Sequence, residues 1–290
     1  MTAIVVSAAS YAHRRSQSAR WSTPGGYVVQ TSSLSARVLG DAGLPILLLH
    51  GLVASGVYWG GLYDQLADHH RLVVPDLVGF GRSPRPTTGY GPDDHVDALV
   101  TCLDELGIDA PVAIGAHSLG ALIALRMASI RPERVSAIVA FGPPLYPDPH
   151  TARAHVAATS PMGRLFVLPG RTAERTCRWV CDHRRIAAQV AAFTHPGLPR
   201  EIAADAVQHT WASYSETLQR VILAAEAQGW LSQISCPVHL VAGSSDPVVD
   251  LGYLRALADT HDNIVLTVWP GRHDLPITHA EDCLAIIAAS

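Results

Sequence analysis

Short apolar runs alternate with longer amphipathic segments along the chain after Tyr27. Brief, partly β-branched apolar runs are typical of buried strands, whereas apolar residues that recur at helical spacing indicate amphipathic helices. Eight runs of the first kind predict strands at Val28–Thr31, Leu34–Leu39, Ile46–His50, Arg71–Pro75, Val112–Gly115, Val135–Phe141, Val238–Ala242 and Ile264–Trp269. Helices are predicted between them at Tyr58–Ala67, Asp93–Leu106, Leu119–Ile130, Leu251–Ala258 and His279–Ala288. The alternation predicts an α/β protein with a mostly parallel eight-stranded sheet covered by helices on both faces.

The alternation stops between Gly142 and Trp230, where strand-like runs are replaced by helical ones. Connections of this length inside a compact domain are usually functional, often as lids. We therefore expect residues 143–230 to form a helical cap over the carboxyl edge of the sheet, and residues 25–142 and 231–290 to form the core. Residues 1–24, rich in serine and arginine, are expected to be a poorly ordered extension. The helices predicted in the cap are Ala173–Cys181, Ile186–Phe193, Ile202–Ala212 and Ser215–Glu226.

Charge and composition exclude some classes of partner. The chain of 290 residues has a formal net charge of −4, contains no lysine and has scattered arginines, so it offers no basic surface for nucleic acid. No apolar run is long enough to span a membrane. The apolar piece Ala3–Ala9 has no basic residues before it, which argues against a secretory signal.

The five cysteines are odd in number and lack the C-x-x-C spacing of common zinc sites, so no metal is expected. Cys177 and Cys181 are four residues apart on a predicted helix, which suits small buried residues better than a disulfide framework. This cysteine usage favours a reducing compartment, and the cytoplasm is the predicted location.

Ser118 lies between a predicted buried strand and a predicted buried helix, in the stretch IGAHSLGA. A turn that joins such elements brings two backbones almost into contact, so it needs small neighbours, and Ala116 and Gly120 provide them. The serine could cap the helix, or its hydroxyl could be exposed at the carboxyl end of the sheet as a nucleophile.

Two stretches carry a family resemblance. The segment from Pro75 to Ser83, PDLVGFGRS, resembles the P-D-x-x-G-x-G-x-S turn of α/β-hydrolases. The serine turn resembles their nucleophile elbow, G-x-S-x-G, with Ala116 in place of the first glycine. The resemblance extends from about residue 27 to residue 290 and implies the α/β-hydrolase fold. It also implies a catalytic triad whose members follow in the order serine, acid, histidine.

The resemblance implies the other two triad members. The segment Gly243–Asp250, GSSDPVVD, is similar to the family's acid-bearing turn and identifies Asp246, with Asp250 as a fallback that could instead cap a helix. The loop after the last predicted strand carries His273, which matches the family's base. His279 is interpreted as the start of the final helix.

Backbone amides beside the serine are predicted to form an oxyanion hole. A glycine at position 51 lets the chain turn so that the next amide points into the site, and Leu119 begins the helix after the serine. We therefore expect the N–H groups of Leu52 and Leu119 to be the two donors. Asp76 precedes the serine in the chain, which is against the family order, and is interpreted as a structural carboxylate that holds the glycine turn.

These residues predict a serine hydrolase that needs no metal or organic cofactor. Its expected substrate is a carboxylic ester, thioester or lactone of a small to medium apolar molecule, since the cap is alanine-rich. Carbon-carbon bond hydrolysis of ring-cleavage products, acyl transfer and cofactor-free peroxidase chemistry are also compatible with a serine nucleophile. A non-enzymatic or single-turnover small-molecule receptor on the same fold is the alternative from another class.

Substrate contacts are predicted less directly. Trp59, His117 and Trp179 are expected at the pocket, and Arg178 would bind a substrate carboxylate if the protein were a carbon-carbon hydrolase. Arg178 and Trp179 could equally be a surface residue and a packing residue. The expected partner is a small-molecule substrate, and the sequence does not indicate the oligomeric state. Other possible wall residues are Tyr58, Phe193 and Tyr214.

Overall fold

An eight-stranded sheet forms the centre of the protein in a computed structural model, which describes residues 21–159, 161–167, 170–194 and 199–290. The strand order is β1-β2-β4-β3-β5-β6-β7-β8. Strands β3 to β8 are mutually parallel, and β2 lies antiparallel to β1 and β4. The strands are β1 (Tyr27–Gln30), β2 (Ser35–Leu39), β3 (Pro45–Leu49), β4 (Arg71–Pro75), β5 (Val112–His117), β6 (Val135–Phe141), β7 (Val238–Gly243) and β8 (Ile264–Trp269). All eight predicted strands are confirmed, with bounds that differ by no more than a few residues.

Helices cover both faces of the sheet, because its central strands are apolar on both sides. Leu47 and Ile114 belong to one buried cluster, whereas their chain neighbours Leu48 and Ala113 belong to another. Successive side chains of a strand point to opposite faces, so the two clusters are the two halves of the core. The helices of the core are α1 (Pro92–Glu105), α2 (Leu119–Ile130), α10 (Leu251–Thr260), α11 (Leu275–Thr278) and α12 (Ala280–Ala288).

The segment between β6 and β7 is helical in its described parts. Its α-helices are α3 (Pro149–Thr159), α4 (Pro161–Val167), α5 (Arg171–Asp182), α6 (Arg184–Thr194), α7 (Arg200–Asp205), α8 (Trp211–Thr217) and α9 (Ala227–Leu231), and one π-helical turn spans Leu218–Ile222. The predicted helix Ile202–Ala212 is wrong in its second half. The chain turns after α7, and the Thr210 hydroxyl then accepts from the amide of Ser213 and caps a new helix.

Two other sequence predictions, a helix at Tyr58–Ala67 and an N-terminal extension, can be compared with the structure. The predicted helix Tyr58–Ala67 is two 3₁₀ segments, Gly56–Trp59 and Gly61–Asp68, because Gly60 interrupts it at φ +59°. Most of the predicted N-terminal extension lies outside the described residues. Its last part begins with Trp21, which packs against the core. No helix within the described ranges is both long enough and apolar enough to cross a membrane.

Candidate active site

The side chains of Ser118, His273 and Asp246 form one hydrogen-bonded chain at the carboxyl edge of the sheet. Ser118 follows β5, Asp246 follows β7 and His273 follows β8, so parallel strands deliver all three to the same edge. His273 Nε2 lies 3.0 Å from Ser118 Oγ, and His273 Nδ1 lies 2.8 Å from Asp246 Oδ2. A histidine in this position can take the serine proton while the carboxylate orients its ring.

The backbone at Ser118 is strained, and the residue lines the cavity at the edge of the sheet. Its φ of +53° and ψ of −116° lie outside the conformations that a serine ordinarily adopts. The side chain makes no capping hydrogen bond to α2, which contradicts the helix-cap alternative. A Cβ at Gly120 would lie 2.7 Å from the carbonyl oxygen of Leu49, so a glycine is required there. Ala116 is fully buried and fits the same turn.

Asp246 fixes the tautomer of His273. Its side chain is completely buried, and its second oxygen accepts a hydrogen bond from the amide of Val248 at 2.8 Å. Because a carboxylate can only accept, His273 Nδ1 must donate to it, which leaves the Nε2 lone pair facing Ser118. Gly142, at φ +56°, makes room for this contact, since a Cβ there would lie 3.0 Å from His273 Nδ1.

His117 supports His273 from behind. Its ring stacks on Tyr58 with centroids 4.6 Å apart, and its Nε2 donates to the backbone carbonyl of His273 at 3.1 Å. Burial and the neighbouring His273 lower the pKa of His117 well below its ordinary value, so the ring is neutral at neutral pH. Its Nδ1 has no hydrogen-bond partner among the described residues.

The turn after β3, which carries Leu52, is held by a buried histidine. His50 Nε2 accepts from the amide of Leu77 at 2.9 Å, so its Nδ1 donates to the carbonyl of Gly51 at 2.8 Å. Val53 adopts φ +52°, which is a genuine strain for a β-branched residue. A Cβ at Gly51 would lie 3.2 Å from the Cβ of Ser118, so the two turns are neighbours, and each contains a non-glycine residue with a positive φ.

A cavity of about 810 Å³ lies above Ser118, is open to solvent on one side and is mainly apolar. The core contributes Ser118, His117 and His273 to its lining, and the insertion between β6 and β7 contributes most of the remaining wall. A cavity of this size suits a drug-sized organic molecule. The lining side chains of the insertion include Val156, Phe166, Cys177, Val180, Ile202, His209, Tyr214, Leu218 and Ile222.

Two of the predicted pocket residues, Trp59 and Trp179, do not line the cavity. Trp59 is 1% exposed and packs edge-on against Tyr63 in the core, because its short 3₁₀ segment turns the neighbouring Tyr58 toward the cavity instead. Trp179 is 52% exposed and stacks on His183 on the outer face of α5. Phe193 is also exposed, whereas His117, Tyr58 and Tyr214 line the cavity.

Other acidic and histidine residues have the structural roles that the sequence suggested. The carboxylate of Asp76 accepts from the amides of Gly56 and Arg82, each at 2.7 Å, and so ties two turns together. Asp250 caps α10 by accepting from the amide of Tyr253. His279 is the residue from which α12 begins.

Sequence reasoning missed His50 and His209. A histidine before Gly51 is a weak signal on its own, and only the contact with Leu77 shows its structural purpose. His209 lies 3.6 Å from Cys177, measured from Nε2 to Sγ, at the cavity wall. These two residues are 32 positions apart in the chain, so no local motif joins them.

A sheet of this order with a strained serine turn and a hydrogen-bonded Ser-His-Asp chain is the architecture of the α/β-hydrolases. The family model for the alpha/beta hydrolase fold matches residues 45–280. The chain therefore belongs to the α/β-hydrolase family.

Individual relatives differ in what they are named for. The chain is 30% identical over 245 residues to a putative carbamate hydrolase, RutD, of Klebsiella pneumoniae subsp. pneumoniae, covering 82% of this chain and 88% of that protein. It is 38% identical over 105 residues to 2-hydroxymuconate semialdehyde hydrolase of a Pseudomonas species, covering 35% of this chain and 37% of that protein.

Solved structures show the same fold. The enol-lactonase of Burkholderia xenovorans LB400 superposes with a TM-score of 0.67 at 18% identity, covering 91% of this chain and 98% of that chain. An E-2-(acetamidomethylene)succinate hydrolase also gives a TM-score of 0.67, at 20% identity, with 88% and 94% coverage of the two chains. These two likenesses show the fold, and the family match together with the curated relatives supports hydrolysis as the general activity.

Proposed function

We propose that the protein is a serine hydrolase that works through Ser118, His273 and Asp246. The observation that carries the proposal is the unbroken hydrogen-bonded chain from Ser118 Oγ through the His273 ring to Asp246 Oδ2. A neutral hydroxyl is a poor nucleophile at neutral pH, so a base within hydrogen-bond reach is what such chemistry requires. The strained backbone of Ser118 and the cavity above it support the same role.

The proposed reaction passes through an acyl-enzyme. Ser118 Oγ attacks the substrate carbonyl as His273 Nε2 accepts its proton, and His273 then donates that proton to the leaving group. The amides of Leu52 and Leu119 hold the oxyanion, and each such donor contributes about 3 kcal/mol in known cases. Leu119 is the first residue of α2, where backbone amides lack acceptors within the helix. Water activated by His273 then releases the acid.

The proposed substrate is a carboxylic ester, thioester or lactone of a small to medium apolar molecule. The cavity is large enough for such a group, and its insertion wall is built mainly from apolar side chains such as Val156, Phe166 and Leu218. The helices of the insertion act as a cap over Ser118 in this proposal. All five cysteines are free, which favours the reducing cytoplasm as the place of action.

Carbon-carbon hydrolysis is the second candidate function, because the described lining of the cavity lacks a cationic group for the carboxylate of such a substrate. The proposed anchor for a substrate carboxylate, Arg178, forms an ion pair with Glu174, and 65% of its side chain is exposed. No arginine is among the described residues that line the cavity. A charged substrate carboxylate would therefore lack a cationic partner there.

Steady-state hydrolysis of p-nitrophenyl esters from acetate to octanoate tests the proposal. We expect turnover that rises with acyl length, that disappears in Ser118→Ala and that persists in Ser129→Ala, a change at another buried serine. Labelling of Ser118 by a fluorophosphonate without ester turnover would move carbon-carbon hydrolysis to first place. Absence of both labelling and turnover would contradict the proposed enzymatic activity and favour a receptor. Turnover that survives in Ser118→Ala would show that Ser118 is not the nucleophile.

A further inference from the structure

Three side chains that bind soft metals meet at the wall of the cavity. Cys177 and Cys181 lie one turn apart on α5, and His209 lies in the segment between α7 and α8. Their two Sγ atoms and one imidazole nitrogen all lie within 4.8 Å of one another. Cys177 and His209 are buried, and Cys181 is half-buried. The proposed hydrolysis uses none of these groups.

The distance between Cys177 and His209 matches the one that a tetrahedral zinc ion imposes. Zinc with Zn–S bonds of about 2.3 Å and Zn–N bonds of about 2.0 Å holds a sulfur and a nitrogen ligand ~3.6 Å apart. The distance from Cys177 Sγ to His209 Nε2 is 3.6 Å. The remaining pairs of ligand atoms lie within 4.8 Å of each other, so a small adjustment of the side chains lets all three atoms bind one ion.

The histidine already has the tautomer that a metal ligand needs. His209 Nδ1 donates to the carbonyl of Ala206 at 3.0 Å, so its Nε2 carries the lone pair that faces Cys177. A ligating histidine almost always donates its other ring N–H in this way, because the hydrogen bond fixes the ring's orientation. His209 therefore offers a lone pair to the two thiols rather than a proton.

Guanidinium groups hold the segment that carries His209. Arg184 donates to the carbonyls of Val207 and His209, and Arg85 donates to the carbonyl of Gln208. The Cys181 thiol also donates to the carbonyl of His209, with 3.2 Å between sulfur and oxygen, so α5 and this segment are already joined. The segment that carries His209 is therefore held beside α5 before any ion arrives.

We propose that Cys177, Cys181 and His209 form a binding site for a zinc ion with three protein ligands. Two thiolates neutralise the charge of the ion, so the bound site is neutral beside Arg184. Cys177 and His209 both line the cavity, so the fourth coordination position faces it and is taken by water or by an oxygen of a bound molecule. The ion would tie α5 to the segment before α8 and fix this wall of the cavity. The sequence alone predicted no metal site, because its cysteines lack the C-x-x-C spacing of common zinc sites.

Cobalt spectroscopy on the reduced, untagged, full-length protein tests the site. Co²⁺ substitutes for Zn²⁺ and gives thiolate-to-cobalt charge-transfer absorption and strong visible bands when it is bound tetrahedrally. We expect one equivalent to bind, one equivalent of Zn²⁺ to displace it, and Ser118→Ala to bind it equally well. The result is thus independent of the proposed hydrolysis.

Single substitutions locate the ligands. Cys177→Ser and Cys181→Ser should each weaken binding by more than the about 10- to 100-fold that loss of an outer-shell partner costs. Cys236→Ser, at another half-buried cysteine, should bind as the wild type does. Absence of thiolate charge transfer, or its retention in both α5 variants, would overturn the site.

A measurement on the wild-type protein covers the case in which the α5 variants do not fold. Bound zinc should slow the alkylation of Cys181 by iodoacetamide and leave the alkylation of Cys236 unchanged, as read by mass spectrometry. Equal rates at Cys181 with and without zinc would also overturn the site.

Discussion

In the proposed mechanism the imidazole of His273 acts as a base only while its Nδ1 carries the proton, and Nδ1 donates that proton in a hydrogen bond to Asp246. An asparagine at position 246 can present its N–H₂ group to Nδ1, which favours the opposite tautomer and turns a proton toward Ser118. We expect Asp246→Asn to lower kcat by about 10⁴-fold, as the same change does in other serine triads. Single-turnover and steady-state ester hydrolysis by the wild type and by Asp246→Asn measure this fall in kcat.

The matched control for this change is Asp250→Asn, four residues along the chain. Asp250 caps α10 through the amide of Tyr253 and does not contact His273, and asparagine is also a good helix cap. We expect nearly normal kcat in Asp250→Asn. An equal loss of kcat in both variants would show that the whole turn matters rather than the carboxylate of Asp246.

At the scale of single residues, the sequence predicted best where a role depends on position along the chain. Ser118, Asp246 and His273 each lie in the loop or turn that follows a strand, and the structure brings all three together. Trp59 and Trp179 were predicted from residue type alone. The direction of a side chain on a short helix depends on how that helix packs, so Tyr58 faces the cavity in place of Trp59.

The turns between elements set the geometry of the site, and Gly142 after β6 is the clearest case. It adopts φ +56°, and a Cβ would lie 3.0 Å from His273 Nδ1 and 3.2 Å from Asp246 Oδ2. Gly142→Ala should therefore push the two side chains apart. A displacement of about 1 Å at a reacting group can cost ~10²-fold in rate, and we expect a fall of that order in kcat.

Gly107→Ala is the control for backbone strain, because Gly107 also has a positive φ, +67°, and its Cβ would meet nothing within 4 Å. Both substitutions should lower the melting temperature, since alanine is strained at such a conformation. Only Gly142→Ala should lower kcat in protein that is still folded. Normal kcat in Gly142→Ala would mean that the triad tolerates the added methyl group.

The strands could be predicted at the scale of elements because the hydrophobic pattern alone decides them. Each central strand is buried on both faces and therefore appears as an unbroken apolar run. The insertion was harder to predict, because capping contacts and helix type decide its boundaries. Thr210 starts a helix that periodicity had assigned to the preceding one, and a π-helical turn at Leu218–Ile222 follows. The Cys177, Cys181 and His209 cluster depends on the same packing, so it too could not be predicted from the sequence.

The buried core as a whole makes the protein sensitive to acid, because it contains histidines that burial keeps neutral. Burial lowers the pKa of His95 from 6.5 to about 3 and also lowers the pKa values of His50 and His117. In the unfolded chain these rings are free to take up protons below their ordinary pKa. Between pH 6.5 and pH 3 the unfolded state therefore binds more protons at His95 than the folded state does, and stability falls as the pH falls.

His95 can be tested separately, since glutamine keeps a polar group for its partner Thr217 and cannot take up the proton. A fully developed difference of one proton contributes about 1.4 kcal/mol per pH unit to the free energy of unfolding. We expect His95→Gln to make the free energy of unfolding less dependent on pH between pH 6 and pH 4, by up to about 1.4 kcal/mol per pH unit, as measured by urea unfolding. This holds even if the substitution lowers stability at pH 7.5. His69→Gln, at an exposed histidine, should leave the dependence unchanged. Parallel curves for His95→Gln and the wild type would mean that His95 takes up its proton while the protein is folded, and the acid sensitivity would then have to arise elsewhere in the core.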